Sequence, residues 1–308
     1  MSSLKRSIIQ TGTLAHTCLA PGQRGKVLAA FSKAIYLLTD DGELFWIATG
    51  DASLHQRCAQ ISAQLPGFSV GSPFHVEDWR LTIDPDFSCD VGQASLWNAP
   101  RLDQNHVLGI AQLPAHSDAF FSQLDLSQAK GFGGFIPHIL SLAHKESISL
   151  GPAFTDPILL FAHPHVLDMA RACLSRQPVR ISESADALIG LGAGLTPSGD
   201  DFLGGLLFAT TVLQAAYPDS NFIQHSIPLE TYHSRTHLIS FTLLQDLANG
   251  QAIAPLHHLI NGLLSGEALE SIYPFVSQLT QIGHSTGWDM LTGLLTGMIV
   301  MNSNAGGR

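Results

Sequence analysis

Two hydrophobic patterns divide the chain. Up to about residue 100, short apolar runs alternate with turn-forming residues, and from about Pro114 onward apolar residues recur at helical spacing. The Asp41-Gly42 pair between apolar runs at 27–38 and 44–47 is typical of a hairpin. Strands followed by helices predict an α+β chain, with a small β-barrel or sandwich-like domain at 1–110 and a mostly α-helical domain at 111–308.

The same patterns place individual elements. Gly, Pro, Asp and Asn clusters bound three further short strands, at 68–70, 79–83 and 93–97. Apolar spacing, with Gly or Pro at the ends, predicts helices at 116–129, 135–146, 157–176, 183–189, 199–217, 230–249, 255–264, 267–282 and 286–301.

Composition narrows the class of protein. Hydrophobic residues make up 45% of the 308 residues and charged residues only 13%, which predicts a large core and excludes disorder. Asp and Glu outnumber Lys and Arg by 25 to 15, which argues against a nucleic-acid partner. The four cysteines form no C-x-x-C pair and predict free, mostly buried thiols. No apolar run reaches the ~20 residues of a membrane span, so we expect a soluble cytoplasmic protein.

The richest chemistry lies in residues 190–205, which read GLGAGLTPSGDDFLGG. Spaced glycines permit positive φ and close backbone approach. Ser198 is placed to cap the next helix, with Asp201 at the third helical position, as in a capping box. Free amides at such a helix start form a natural anion site.

A second segment echoes the first. Residues 198–207 align without gaps on residues 286–295, with a shared [Ser/Thr]-Gly-x-Asp-[Phe/Met]-Leu-x-Gly-Leu-Leu pattern. Two capped helices packed side by side would bring their starts to one pocket. Asp200, Asp201 and Asp289 would then face it, and His284 and Ser285 would join them.

Several interpretations stay open from the residues alone. Two capping motifs also occur in well-capped core helices. The Asp200–Asp201 pair can bind Mg²⁺, accept hydrogen bonds from a ligand amide, or complement the helix dipole. The hydroxyls of Thr236 and Ser240 can reach the pocket or bond to their own helix. The glycine-rich run at 131–135 suits a lid or an ordinary turn between helices.

Histidine pairs give weaker signals. His233 and His237 share a helical face, but no Cys or Glu-x-x-His partner accompanies them, so no metal site is predicted. His163, His165, His257 and His258 are expected at the surface or at helix caps. Neither a nucleophile elbow nor a phosphate-binding P-loop motif occurs.

At this point the sequence resembles a known family. GLGAGLTPSGDDFLGG is similar to the signature of the oxamate carbamoyltransferase small-subunit family, formerly described only as a bacterial domain of unknown function. Residues 235–240, with a downstream Leu-x-x-Leu-Ala-x-Gly, and residues 282–289 extend the resemblance to roughly 185–300. It implies a carbamoyltransferase subunit that acts on carbamoyl phosphate and oxamate in allantoin and purine breakdown, within a complex of several subunits.

The resemblance and the residue chemistry together suggest site roles. Hydroxyls and helix starts would hold the phosphate, and Asp200 or Asp201 would accept from the NH₂ group. His284 would serve as general acid or base, and Arg235 would hold phosphate or carboxylate. The catalytic candidates are His284, Asp200, Asp201 and Asp289. The substrate-binding candidates are Gly192, Gly194, Thr196, Ser198, Gly199, Arg235, Thr236, Ser240, Ser285, Thr286 and Gly287.

The leading hypothesis is thus a carbamoyl-transfer enzyme or enzyme subunit that needs no cofactor, with Mg²⁺ possible only at Asp200 and Asp201. One rival is a non-catalytic regulatory subunit that binds a small anionic metabolite. Another is a Mg²⁺-dependent hydrolase that uses the three aspartates. Neither a nucleic acid nor a membrane is expected among its partners.

Overall fold

The computed structural model describes residues 6–103, 107–108, 112–144, 154–216 and 222–305. The chain divides into two compact units, Met1–Pro100 and Arg101–Arg308. The first is built on a sheet and the second on helices, so the α+β class is confirmed. Predicted helix positions that fall on 145–153 and 217–221 lie outside the described residues.

Nine strands and one short helix make up the described part of the first unit. They form a single curled sheet, a half-barrel, in the order β8-β7-β6-β2-β3-β4-β5-β1-β9. An isolated bridge from Ser7 to Asp90 brings the β8 edge to the start of β1. The elements are β1 (Ile8–Gly12), α1 (Thr13–Cys18), β2 (Arg24–Ala30), β3 (Ala34–Thr39), β4 (Leu44–Thr49), β5 (Cys58–Ile61), β6 (Pro73–Glu77), β7 (Arg80–Ile83), β8 (Phe87–Asp90) and β9 (Ser95–Trp97).

The hairpin signal is confirmed, since β3 and β4 pair antiparallel around Gly42, which has φ +89°. The apolar run at 27–38 is split between β2 and β3. The predicted strand at 68–70 is wrong, because Ser72 N–H donates to Ser69 O at 3.1 Å in a turn where Gly71 has φ +88°. Strands β1, β5, β6 and β8 were not predicted.

The second unit is a helical assembly around one large apolar core. Two short 3₁₀ turns, Gly131–Phe135 and Leu229–Thr231, interrupt the helices. The helices are α2 (Leu113–Ser122), α3 (Ile136–Ala143), α4 (Pro157–Leu174), α5 (Pro178–Leu188), α6 (Ser198–Ala216), α7 (Phe222–Ser226), α8 (Leu238–Ala248), α9 (Ala254–Ser265), α10 (Leu269–Thr280) and α11 (Thr286–Ala305).

Three predicted helices are wrong at their ends. The helix predicted at 183–189 already begins at Pro178. The helix predicted at 116–129 stops at Ser122, since the Asp125 side chain accepts from Ser127 N–H at 2.9 Å and makes a local turn. The helix predicted at 230–249 begins only at Leu238, because Arg235 N–H donates to Tyr232 O in a turn. Residues 235 and 236 therefore lie on a loop.

Helices α6 and α11 cross with almost no side chain between them. A methyl group on Gly205 would lie 2.1 Å from the Met290 carbonyl oxygen, and one on Gly293 would lie 2.0 Å from that of Phe202. Gly205 and Gly293 are equivalent in the sequence echo, and so are Phe202 and Met290. The crossing is therefore nearly two-fold symmetric and requires glycine on both helices.

Two properties of the chain concern its surroundings. All four cysteines are free and buried, as predicted. In the described residues, no helix combines the length and the apolar character that a membrane span requires.

We expect Gly293→Ala to lower the free energy of unfolding by about 2 kcal/mol, because the new methyl overpacks backbone that cannot move away. Alanine at an unobstructed helical position would instead stabilise by about 1 kcal/mol. Gly204→Ala is the matched control: the one close approach of its methyl, 2.5 Å, is to Leu247 Cδ1 at the flexible end of that side chain, and the next atoms lie at 3.6 Å. Urea unfolding of both variants measures the difference. Equal losses would contradict the close crossing.

Candidate functional site

The two echoed helices begin side by side. Thr196 Oγ1 lies 3.2 Å from Thr286 Oγ1, and Ser198 Oγ lies 3.4 Å from Ser285 Oγ. The structure thus brings together the two distant segments that the echo predicted to meet. We call the region around these four hydroxyls the helix-start site.

The glycine loop before α6 owes its path to its glycines. Gly190, Gly192 and Gly194 have φ of +72°, +133° and +93°. A methyl on Gly190 would lie 2.4 Å from Arg235 O, and one on Gly192 would lie 2.6 Å from Ser198 N. Side chains at these two positions would be strained and would also clash, so Gly192 holds the loop against the helix start.

Five backbone amides at the two helix starts already have acceptors, all of them carbonyl oxygens of residues that precede each helix. The expectation of free amides waiting for an anion is wrong for five donors. At α6, Gly199 N–H donates to Leu191 O, and Asp200 N–H and Asp201 N–H donate to Pro197 O; at α11, Gly287 N–H donates to Ile282 O and Asp289 N–H donates to Ser285 O.

Asp200 anchors the loops around the site. Its Oδ1 accepts from Gly190 N–H at 2.6 Å, and its Oδ2 accepts from the hydroxyls of Ser240, at 2.6 Å, and Thr236. The two hydroxyls therefore bond to Asp200 rather than to their own helix. With both oxygens engaged, Asp200 is a positioning carboxylate, and a Mg²⁺ ion there would compete with these donors.

Asp201 and Asp289 are placed reciprocally. Asp201 is 3% exposed and interacts with the Thr286 hydroxyl, whereas Asp289 is 0% exposed and interacts with that of Ser198. Each carboxyl thus faces the first hydroxyl of the other helix. The Oδ2 atoms of both aspartates are buried and have no hydrogen-bond partner.

Burial controls the ionisation of this pair. Desolvation raises the pKa of Asp289 to about 6, against the opposing effects of Phe132 N–H and the Ser198 and Ser285 hydroxyls. Desolvation, and next the charge of Asp289, raise the pKa of Asp201 well above its ordinary value. The charge of Asp289 therefore favours the protonated form of Asp201.

The glycine-rich run at 131–135, which suited either a lid or a turn, is a 3₁₀ turn that forms a wall of this site. Phe132 N–H donates to Asp289 Oδ1 at 2.6 Å. A methyl on Gly131 would lie 2.4 Å from the same oxygen, and one on Gly133 would lie 2.8 Å from the Trp288 ring. The three glycines in five residues were the only sequence signal for this close packing.

The remaining candidates lie at the exposed side. His284 is exposed in the turn before Ser285. Arg235 is also exposed, and its guanidinium donates to Asp186 Oδ1 at 2.8 Å and stacks over the Tyr232 ring. Exposed Lys130, not among the candidates, directly precedes Gly131.

Outside the site, half-buried His163 lies inside α4 rather than at a cap, and its Nε2 is 2.7 Å from Nδ1 of the buried His138. His257 is buried and accepts from Ala252 N–H. In the part of the chain that the structure describes, no three His, Cys, Asp or Glu side chains cluster as metal ligands.

Comparison with known proteins supports the family resemblance. Residues 188–298 match the family described as oxamate carbamoyltransferase subunit AllH. The range includes the glycine loop, both echoed helix starts and the Thr236–Ser240 segment, so the resemblance is confirmed there. No solved structure matches the chain.

Removing the Asp200 anchor should destabilise the protein. We expect Asp200→Ala to lower the free energy of unfolding by about 3 kcal/mol, since it leaves the Gly190 amide and two hydroxyls without their acceptor. Asp168→Ala, which removes the exposed pair with Arg171, should cost less than about 1 kcal/mol. Denaturant unfolding of both variants tests this; similar losses would argue against an anchoring role.

Asp289 should give stability an inverted pH dependence. Its pKa is raised from the ordinary 3.8 to about 6 in the folded protein, so its contribution is greatest below pH 3.8 and is lost as the pH rises to about 6. We expect Asp289→Asn to gain up to about 3 kcal/mol over the wild type across this window.

Thermal unfolding between pH 4 and 7.5 measures that difference. Asp125→Asn is the control, because hydrogen bonds from Ser127 lower the pKa of the Asp125 carboxyl and give its difference the opposite sign. A flat difference for Asp289→Asn would show that its carboxyl ionises normally.

Proposed function

We propose that this chain is a carbamoyltransferase subunit whose helix-start site takes part in transferring the carbamoyl group of carbamoyl phosphate to oxamate. The observation that carries the proposal is that the residues matched by the family include the helix-start site. The family match at 188–298 contains both helix starts, their four hydroxyls and both buried carboxyls. Oxamate and carbamoyl transfer come from the name of that family.

The reaction sets definite requirements for the site. The oxamate nitrogen attacks the carbamoyl carbon, the bond from that carbon to the phosphate oxygen breaks, and phosphate leaves with the electron pair. The nitrogen must also lose a proton to a base. Transition-state charge grows on the carbamoyl oxygen, where fixed hydrogen-bond donors act most effectively.

Residues of this chain can meet part of these requirements. Hydroxyls of Ser198 and Ser285, 3.4 Å apart, lie beside Asp289 and can turn from its carboxyl to donate to the carbamoyl oxygen. His284 is exposed beside Ser285 and can take the proton. This assignment of His284 stays a prediction, as do the substrate-binding roles of the glycine loop.

The phosphate group needs positive charge as well. With the five helix-start amides engaged, helix-terminal donors alone are a weak basis for holding a dianion. Lys130 and Arg235 are the cationic side chains adjacent in sequence to site elements, and Arg235 would have to exchange Asp186 for the phosphate. We therefore expect other subunits of the complex to supply further contacts to the phosphate.

A non-catalytic metabolite-binding subunit is the second candidate. The saturated Asp200 and the burial of Asp201 and Asp289 favour it, because in this conformation none of these carboxyls can exchange a proton with a substrate. The two candidates differ in whether any side chain must exchange a proton with the substrate.

Carbamoyl phosphate and oxamate should be assayed with the chain and its partner subunits assembled, with phosphate release as the readout. We expect His284→Ala to lower kcat by about 10² or more if this ring is the base. We expect Ser198→Ala with Ser285→Ala to lower kcat by a similar factor, since fixed donors of this kind contribute about 10² to 10³. Ser122→Ala on α2 is the control.

Unchanged turnover by His284→Ala, with ligand binding intact, would favour the regulatory candidate. If the assembled wild-type complex releases no phosphate in the presence of oxamate, the proposed function is wrong.

A further inference from the structure

Two buried carboxyl oxygens in the helix-start site lack a partner. Asp201 and Asp289 are 3% and 0% exposed, yet the Oδ2 of each has no hydrogen bond. Buried polar atoms of folded proteins are paired in the great majority of cases. Two unpaired oxygens at one place, on side chains that face each other's helices, therefore indicate a missing ligand.

The surroundings define the chemistry of that ligand. Five of the nearby backbone amides are already engaged, and the buried atoms without a partner are carboxyl oxygens. An ionised carboxyl only accepts, whereas a protonated carboxyl can also donate, and burial together with the charge of Asp289 favours the protonated form at Asp201. A carboxylate or phosphate oxygen would be repelled by Asp289, and an alkyl group would leave both oxygens unsatisfied.

We propose that Asp201 and Asp289 together recognise a primary amide, with Asp289 Oδ2 accepting from its N–H and the Asp201 carboxyl donating to its carbonyl oxygen. The inference rests on the proposed function, because both carbamoyl phosphate and oxamate carry an H₂N–C(=O)– group. It assigns the amide end to these two carboxyls and leaves the anionic end to other groups.

A ligand reaches these oxygens when a covering segment moves, because both are buried in this conformation. The loop at 192–195 leads into Thr196, whose hydroxyl interacts with Asp201, and it is unobstructed at its tip: Ala193 and Gly194 are exposed, and nothing lies within 4 Å of a methyl placed on Gly194. The wall on the opposite segment is fixed by the Phe132–Asp289 hydrogen bond.

Oxamate and pyruvate provide a matched pair of probes. They have the same charge and nearly the same shape, and differ only in an NH₂ group in place of a CH₃ group. Titration calorimetry of the full chain, alone and with its partner subunits, should show oxamate binding roughly 10- to 100-fold more tightly, the range of a hydrogen bond to a charged group.

Two isosteric variants separate the carboxyl roles. In Asp289→Asn the amide oxygen keeps the bond from Phe132 N–H, so its NH₂ group faces the ligand NH₂, and the preference for oxamate should fall to within threefold. In Asp201→Asn the NH₂ group replaces a hydroxyl donor, so the preference should survive. A merely structural role would not produce this asymmetry.

Each remaining outcome is decisive. Equal binding of oxamate and pyruvate by the wild type, retention of the preference in Asp289→Asn, or no oxamate binding by either the chain or the complex would overturn the inference. Carbamoyl transfer with no preference for oxamate would reject only the amide recognition. A preference for oxamate without carbamoyl transfer would reject the proposed function and leave a primary-amide site.

Discussion

The close crossing of α6 and α11 is the constraint on which the site depends. Gly205 and Gly293 let each backbone touch the other near the helix starts, at Met290 and Phe202. Side chains at these positions would separate the helices and with them the hydroxyl pairs at 3.2 and 3.4 Å. Glycine weakens a helix interior by about 1 kcal/mol. The two glycines therefore lower the stability of each helix, but they allow the two helix starts to lie side by side.

The same crossing forces two carboxyl groups out of water. Isolated buried charges are strongly unfavourable, so burial raises the pKa of both carboxyls. Both helix dipoles favour negative charge at these positions, and the neighbouring hydroxyls lower the pKa of each carboxyl, but desolvation outweighs them. The folded state therefore carries an electrostatic strain that a ligand with the right donors would relieve.

Sequence patterns predicted the parts of this arrangement that are local. Capping residues and apolar spacing located α6 and α11 to within a few residues, and their echo predicted that they meet. The turn that delays α8 to Leu238 was not predictable, because it depends on Thr236 donating to Asp200, which lies 36 residues earlier. The wall at 131–135 likewise depends on Asp289, 157 residues away from Phe132.

The roles of the candidate residues were likewise predictable only where they depend on local sequence. Residue types identified Asp200, Asp201 and Asp289 as a group, but only the contacts separate an anchor whose two oxygens are saturated from two carboxyls with an unpaired oxygen each. Whether amides at a helix start are free depends equally on the path of the preceding loop, which here brings the Leu191 carbonyl back to Gly199 N–H.

The two copies of the echo differ at one position that affects the chemistry of the site. Asp200 in the first copy of the echo is replaced by Trp288 in the second. Asp200 binds the glycine loop and the start of α8, whereas Trp288 packs on Gly133 and so holds Phe132 N–H against Asp289. The Phe132 amide lowers the pKa of Asp289 by donating to its carboxyl. The hydrogen bonds that lower the pKa of Asp201 come from side-chain hydroxyls alone. The replacement thus makes the two carboxyls unequal, and an unequal pair, with one member ionised and the other protonated, can accept and donate at the same time.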